Sequence, residues 1–315
     1  MTAVATRLTL ADARRSPCLT CSTTPCCTHL PVHTFRMTTL MDLDEARYLL
    51  NFDGIELGLS SSGEWSVYYG RPCRFLDTAA GLCTIHATER QPQICRTYNP
   101  YTCWYKRAFG GESDEFVWVD REALDRIGEQ VAFDEHRTIV EVPSWEDLLA
   151  SAAPPPVASA AAVSRAVPLT LGPTRLRSDA PAEPQPHSYD DLRHPCDDCG
   201  AYCCTRLVFP KPRPATNVEL DFWRLCLGFP GVEVGIGGDA WSLIVETTCR
   251  HLDAGGRCSV YGSPERPLRC SYYDEWKCAY KPRFGGGDTG FLRMGLDEFD
   301  AFLADLTFDA AGRVL

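Results

Sequence analysis

The chain has 315 residues, a formal net charge of -11, a charged fraction of 23% and a hydrophobic fraction of 44%, which is ordinary globular composition at a length that fits two domains better than one. No run of about 18 apolar residues is present to span a bilayer. The acidic balance repels phosphate backbones and no basic patch offsets it, so neither a membrane nor nucleic acid is expected as a partner.

At the N-terminus, Met1 to Pro17 carries Asp12, Arg14 and Arg15 and lacks a continuous apolar segment, so it does not read as a secretory leader. A cytoplasmic, reducing location is expected, and there disulfides are disfavoured. The 17 cysteines therefore need another chemical reason, since a chain of this length does not need staples for want of a core.

In chain order the first half carries Cys18, Cys21, Cys26, Cys27, Cys73, Cys83, Cys95 and Cys103. The second carries Cys196, Cys199, Cys203, Cys204, Cys249, Cys258, Cys270 and Cys278. Intervening residues number 2, 4, 0, 45, 9, 11, 7 in one half and 2, 3, 0, 44, 8, 11, 7 in the other, which marks a tandem duplication. Only Cys226 is unmatched, and in a helical pattern with Trp223 and Leu227 it reads as a small buried apolar side chain.

Within the long gap each half shows a helical stretch, Leu43 to Leu50 and Val218 to Leu227. Two β-type runs follow in each: Ile55 to Leu59 with Trp65 to Tyr69, and Val232 to Ile236 with Trp241 to Val245. The intervening turns, Ser60 to Gly63 and Gly237 to Asp239, make each pair a hairpin. Beyond the last cysteine, Phe109-Gly110-Gly111 answers Phe284-Gly285-Gly286. A short strand, Phe116 to Val119 or Phe291 to Met294, then leads into a helix-period pattern: Leu124, Ile127 and Val131, or Leu296, Phe299, Phe302, Leu303 and Leu306. The expected fold is α+β: two tandem small cysteine-rich, metal-stabilised domains of short helices and β-hairpins, over 15-148 and 189-312. Residues 149-188, opened by Pro154-Pro155-Pro156 and Ala- and Pro-rich to about His187, have the composition of an extended linker.

A Cys-x-x-Cys pair on a turn brings two sulfurs to one tetrahedral ion. The adjacent pairs Cys26-Cys27 and Cys203-Cys204 add more, because consecutive side chains diverge and can feed two neighbouring ions or one cluster. Each half can close two four-thiolate sites, or one site and a second, looser one; spacing leaves open which thiols share an ion. All sixteen repeated cysteines are candidate ligands for zinc or iron, and metal ions are the partners expected; the sequence names no protein partner. His86, His251 and His29 lie close to cysteines and are weaker nitrogen candidates. Arg96 and Arg269 flank cysteines and are placed to offset thiolate charge. Tyr98, Tyr101, Trp104, Tyr105 and Tyr272, Tyr273, Trp276, Tyr280 crowd the last cysteines, where packing around a metal core is expected.

Cys196-Asp197-Asp198-Cys199 before Cys203-Cys204, then Cys258-Ser259-Val260-Tyr261 and Arg266-Pro267-Leu268-Arg269-Cys270, resemble the YkgJ-type cysteine-cluster family, the CxxCxxCC zinc- or iron-chelating domains. The resemblance covers most of both halves and implies metal binding by the eight cysteines of each copy. It departs from the family in the three or four residues before the adjacent pair, and in Gln91-Pro92 and His86 where the second copy has Arg266-Pro267 and Tyr261. It names a cofactor class and no reaction, so a non-enzymatic metal-binding protein is the first expectation. The family's distant similarity to flagellin lysine N-methylases implies an alternative, an enzyme carrying an iron–sulfur cluster, with colour and oxygen sensitivity. Neither the cysteine spacing of radical S-adenosylmethionine enzymes nor a ferredoxin run is present. No phosphate loop, dinucleotide glycine fingerprint, Gly-x-Ser-x-Gly or His-Glu-x-x-His occurs either.

Overall fold

A computed structural model describes residues 9–21, 24–110, 115–152, 154, 196, 199–237, 240–285 and 290–315. The linker expected over 149-188 lies outside the described residues except for 149–152 and 154, as do Gly111, Asp197, Asp198, Asp239 and Gly286.

The fold is α+β, with a four-stranded antiparallel sheet in each half. In the first half β1 (His29–Arg36) is followed by α1 (Leu40–Leu49), the hairpin β2 (Ile55–Ser60) and β3 (Glu64–Gly70), then β4 (Phe116–Val119) and α2 (Arg121–Gln130). The sheet order is β1-β3-β2-β4. The second half repeats this with β5 (Arg206–Lys211), α3 (Asn217–Leu227), β6 (Val232–Gly237), β7 (Ala240–Glu246), β8 (Phe291–Met294) and α4 (Leu296–Ala304), in the order β5-β7-β6-β8.

Local sequence accounts for these elements. Alternation in the two hairpins puts Leu57, Val67, Val234 and Leu243 into the core. Helix α1 starts three residues before the apolar pattern because Thr39 and Asp42 form a capping box: the Asp42 N–H donates to the Thr39 hydroxyl at 3.3 Å and the Thr39 N–H to the Asp42 carboxylate at 2.8 Å. Thr216 and Glu219 repeat it on α3 at 3.3 and 3.0 Å. Strands β1 and β5 were absent from the sequence expectation. Each is an edge strand, which tolerates Pro31 and Pro210.

A repeated glycine fits β4 and β8 onto their hairpins. A Cβ on Gly58 would stand 1.9 Å from the Phe116 ring, and one on Gly235 2.3 Å from the Phe291 ring. In both halves the aromatic ring of the last strand occupies the space that the missing side chain leaves.

The cores of the two halves are continuous. One buried cluster runs from Leu30, Val32, Leu49 and Phe52 in the first half to Leu227, Phe229, Val245 and Phe299 in the second. The chain crosses between halves by matched contacts, as an approximate twofold relation requires. The Arg250 N–H donates to the Asn51 carbonyl at 2.8 Å, and the Arg74 N–H to the Gly228 carbonyl at 2.8 Å. Phe52 pairs with Cys249 in an antiparallel bridge, and the Asp53 N–H donates to the Thr248 carbonyl at 3.1 Å.

Candidate metal centres

In each half the adjacent cysteines sit on a single helical turn leading into the edge strand, Pro25–Thr28 before β1 and Tyr202–Thr205 before β5. The residue before each turn, Thr24 at φ 40° and Ala201 at φ 52°, is left-handed, a conformation costly for a residue with a Cβ. Repetition of that strain at equivalent positions marks these turns as places where backbone direction is set against local preference.

The other thiols are brought up by separate segments. Cys73 lies beside the adjacent pair because its N–H donates to the Cys27 carbonyl at 2.7 Å; the Cys249 N–H does the same to Cys204 at 2.8 Å. Cys83 is carried on a two-residue strand paired with Leu76–Asp77, and Cys258 is bridged to Leu252. Cys95 and Cys270 stand on the short helices Gln93–Thr97 and Leu268–Ser271. Cys18 is on a 3-10 turn, Pro17–Thr20, that packs against the Pro100–Thr102 turn ahead of Cys103.

Mutual electrostatics link the thiols of each half in two overlapping sets that share Cys26 or Cys203. The Cys18 thiol is pushed up by burial first and then by Cys26, Cys103 and Cys21. Cys27 is pushed far up by its contact with Cys26, then by burial, then by Cys73 and Cys95. Burial, Cys26, Cys73 and Cys83 push Cys95 up to about 12. In the second half Cys196 is raised by burial, Cys199, Cys203 and Cys278, whereas Cys204 is raised by its contact with Cys203, then by burial, Cys249 and Cys258. Burial, Cys203, Cys249 and Cys258 take Cys270 to about 12.

Cys26 acts on Cys18 and also on Cys73 and Cys95, and Cys203 on Cys196 and also on Cys249 and Cys270; cut at the adjacent pair, the thiols form the groups Cys18, Cys21, Cys26, Cys103 with Cys27, Cys73, Cys83, Cys95, and Cys196, Cys199, Cys203, Cys278 with Cys204, Cys249, Cys258, Cys270. The adjacent cysteines are divided between the groups and join them; the Cys26 and Cys27 sulfurs are 3.9 Å apart. Cys26 and Cys203 are the acidic members, each lowered to about 7 by the hydrogen bond from its neighbour. Among the described residues, no three His, Cys, Asp or Glu side chains converge closely enough to hold an ion as they stand. The donor set of each group is that of a tetrathiolate site, and closing one would draw its sulfurs inward.

The turns that carry Cys95 and Cys270 are each roofed by the other half. Helix α1 packs on the Leu268–Ser271 turn and α3 on the Gln93–Thr97 turn. The buried Asp44 carboxylate accepts the Arg269 N–H at 3.1 Å, and Asp221 at the equivalent place accepts the Ile94 N–H at 3.2 Å. Gly228 caps α3 against Cys73, whose sulfur would lie 3.4 Å from a Cβ there.

Several expected neighbours of the thiols are engaged elsewhere. His29 is 3% exposed, with Nδ1 2.8 Å from the Thr28 hydroxyl and Nε2 3.2 Å from Glu56, so both ring nitrogens have partners away from sulfur. His86 is exposed, and the nearest partner of the His251 ring is Arg250 at 3.5 Å. Arg269 pairs with Glu45 and lies over the Tyr48 ring instead of facing thiolates. Arg266, one turn before Cys270, is the cation that adds to the lowering of Cys203 and offsets part of the rise of Cys270; the sequence expectation gave it no such role. Trp104 and Tyr105 pack into a second small core with Tyr68, Phe109, Phe116 and Trp118. Tyr272 and Trp276, expected to pack, are exposed at 78% and 62%. Cys226 is 1% exposed within the main core, as expected.

Fold and site together define an α+β chain with two equivalent eight-thiol ends, each roofed by a helix of the opposite half. Comparison with known protein families, curated proteins and solved structures finds no match to this chain.

Proposed function

We propose that the chain is a metal-binding protein in which each half holds zinc or iron in two four-thiolate sites, an outer one on Cys18, Cys21, Cys26 and Cys103 and an inner one on Cys27, Cys73, Cys83 and Cys95, with the same division in the second half. The observation that supports this reading is the gathering of eight thiols at each end by equivalent elements, with the adjacent cysteines at the junction between the Cys18 or Cys196 turn and the later thiols. Crowding ionisable sulfurs side by side with partial desolvation raises their proton affinity, as it does for Cys27, Cys95, Cys204 and Cys270; a divalent cation would relieve that repulsion. The metal would supply folding free energy, roughly 10 to 16 kcal/mol for a structural zinc. The resemblance of the cysteine pattern to the YkgJ-type family agrees with this reading.

The test is metal content by elemental analysis on protein purified reduced and without oxygen, for the native chain and two variants. Cys103→Ala is expected to lose about one ion of the native complement and Cys73→Ala another, and the double variant both. Loss of all metal from that half with either single change would mean one shared cluster and would contradict the two-site division.

A further inference from the structure

A cavity of about 400 Å³ opens between the Gln93–Thr97 turn of the first half and α3 of the second. That volume is within the range of small-molecule sites, about 300 to 1,000 Å³. Ile94, Val218, Phe222, Trp223 and Leu243 give it an apolar body, and Lys211 and Arg213 stand in its wall.

The duplication supplies its own control. Arg269 stands at the position of Ile94, one residue before the equivalent cysteine, and Glu45 at that of Phe222 on the equivalent helix. Phe35, paired with Trp65, stands at that of Lys211, paired with Trp241. At that end the Arg269–Glu45 ion pair bridges helix and turn, and the guanidinium covers the Tyr48 ring at 5.2 Å. At the cavity end both members of the bridge are replaced by apolar side chains, and an amine takes the place of the phenyl ring.

The charges around the cavity are unequal. Asp221 is engaged by the Ile94 N–H and by Arg224, and Glu219 by the Ala215 and Thr216 N–H groups at 2.7 and 3.0 Å. Lys211 and Arg213 form no ion pair among the described residues. Lys211 is half-buried, and its desolvation disfavours the ammonium that has to sit there. An anion delivered into the cavity would offset that cost, and the apolar walls select one with a hydrocarbon body.

We propose that this cavity is a binding site for a small amphipathic carboxylate, its carboxylate held by Lys211 and Arg213 and its apolar part against Ile94, Phe222 and Trp223. The site is independent of the metal reading, since none of the named contacts is a thiol. Because it joins the two halves, an occupant would fasten the Cys95 turn to α3.

The experiment is calorimetric titration of the full chain, as purified, with octanoate and with octanamide as its uncharged isostere, followed also through tryptophan fluorescence because Trp223 lines the wall. Octanoate is expected to bind once per chain and octanamide about tenfold or more weaker, the loss of one charge-assisted contact. Lys211→Met, which keeps the stem and removes the charge, is expected to lose at least about tenfold in octanoate affinity with an unchanged circular dichroism spectrum. Ile94→Arg with Phe222→Glu, which rebuilds the bridge of the other end, is expected to abolish binding. Equal affinity for acid and amide, undiminished binding by Lys211→Met, or no octanoate binding by the folded chain would each overturn the proposal.

Discussion

Phe229→Ala tests whether the two halves share one core. Phe229 is 0% exposed, follows α3 and belongs to the cluster that continues into the first half. Truncating a buried phenylalanine to alanine removes its transfer free energy and leaves a cavity, together about 3 to 5 kcal/mol. At about 1.4 kcal/mol per factor of ten, that is roughly two to three and a half powers of ten in the unfolding equilibrium. The assay is native-state hydrogen exchange read by peptide mass spectrometry on β2 and β3 of the first half and β6 and β7 of the second. If the core is one cooperative unit, the slowest amides of both hairpins accelerate by the same factor, although the substitution lies in the second half only. Acceleration confined to β6 and β7 would mean two cores that merely touch, contrary to a shared one.

Asp44→Ala leaves the Arg269 N–H without its acceptor and is expected to cost about 1 to 3 kcal/mol; alkylation mapping should find Cys270 more exposed and Cys95 unchanged, with Asp221→Ala giving the reverse. Gly235→Ala places a methyl group into the Phe291 ring and is expected to cost about 1 to 3 kcal/mol by thermal unfolding, whereas alanine at the open turn position Gly63 meets no atom and is opposed only by its φ of 78°. Thr39→Ala removes the cap of α1 and should cost about 1 kcal/mol in urea unfolding. Burial tends to raise the Asp42 carboxyl, but hydrogen bonds from Thr38 and Thr39 outweigh it and hold it below its ordinary value of 3.8. Its contribution to stability is therefore complete above that value and is lost as pH falls through the lower folded one. Asp42→Asn should flatten that part of the acid unfolding curve, and an unchanged curve would contradict the cap assignment.

The hairpins and their following strands were legible because period-two alternation and turn residues are local signals; Ile55 to Leu59 and Trp241 to Val245 fall inside the observed strands with at most one residue to spare at either end. Strands β1 and β5 carried the same alternation, in Leu30 with Val32 and Leu207 with Phe209. It was hidden by Pro31 and Pro210, which an edge position accommodates and a central one would not. The sixteen cysteines were legible from spacing alone. Which of them lie together was not, since Cys73 is brought to Cys27 by a hydrogen bond across 45 intervening residues. The roofing of the Cys95 and Cys270 turns by the opposite half lies beyond any single-segment pattern. The sequence does carry its trace in the equivalent acids Asp44 and Asp221 on the two helices.

Tetrathiolate ions at both ends are tested by X-ray absorption with elemental analysis on reduced, anaerobically purified protein. About four zinc or iron ions per chain are expected, each with about four sulfur neighbours near 2.3 Å for zinc. A folded chain with reduced thiols that carries no metal, or an ion bound mainly through oxygen and nitrogen, would contradict that expectation.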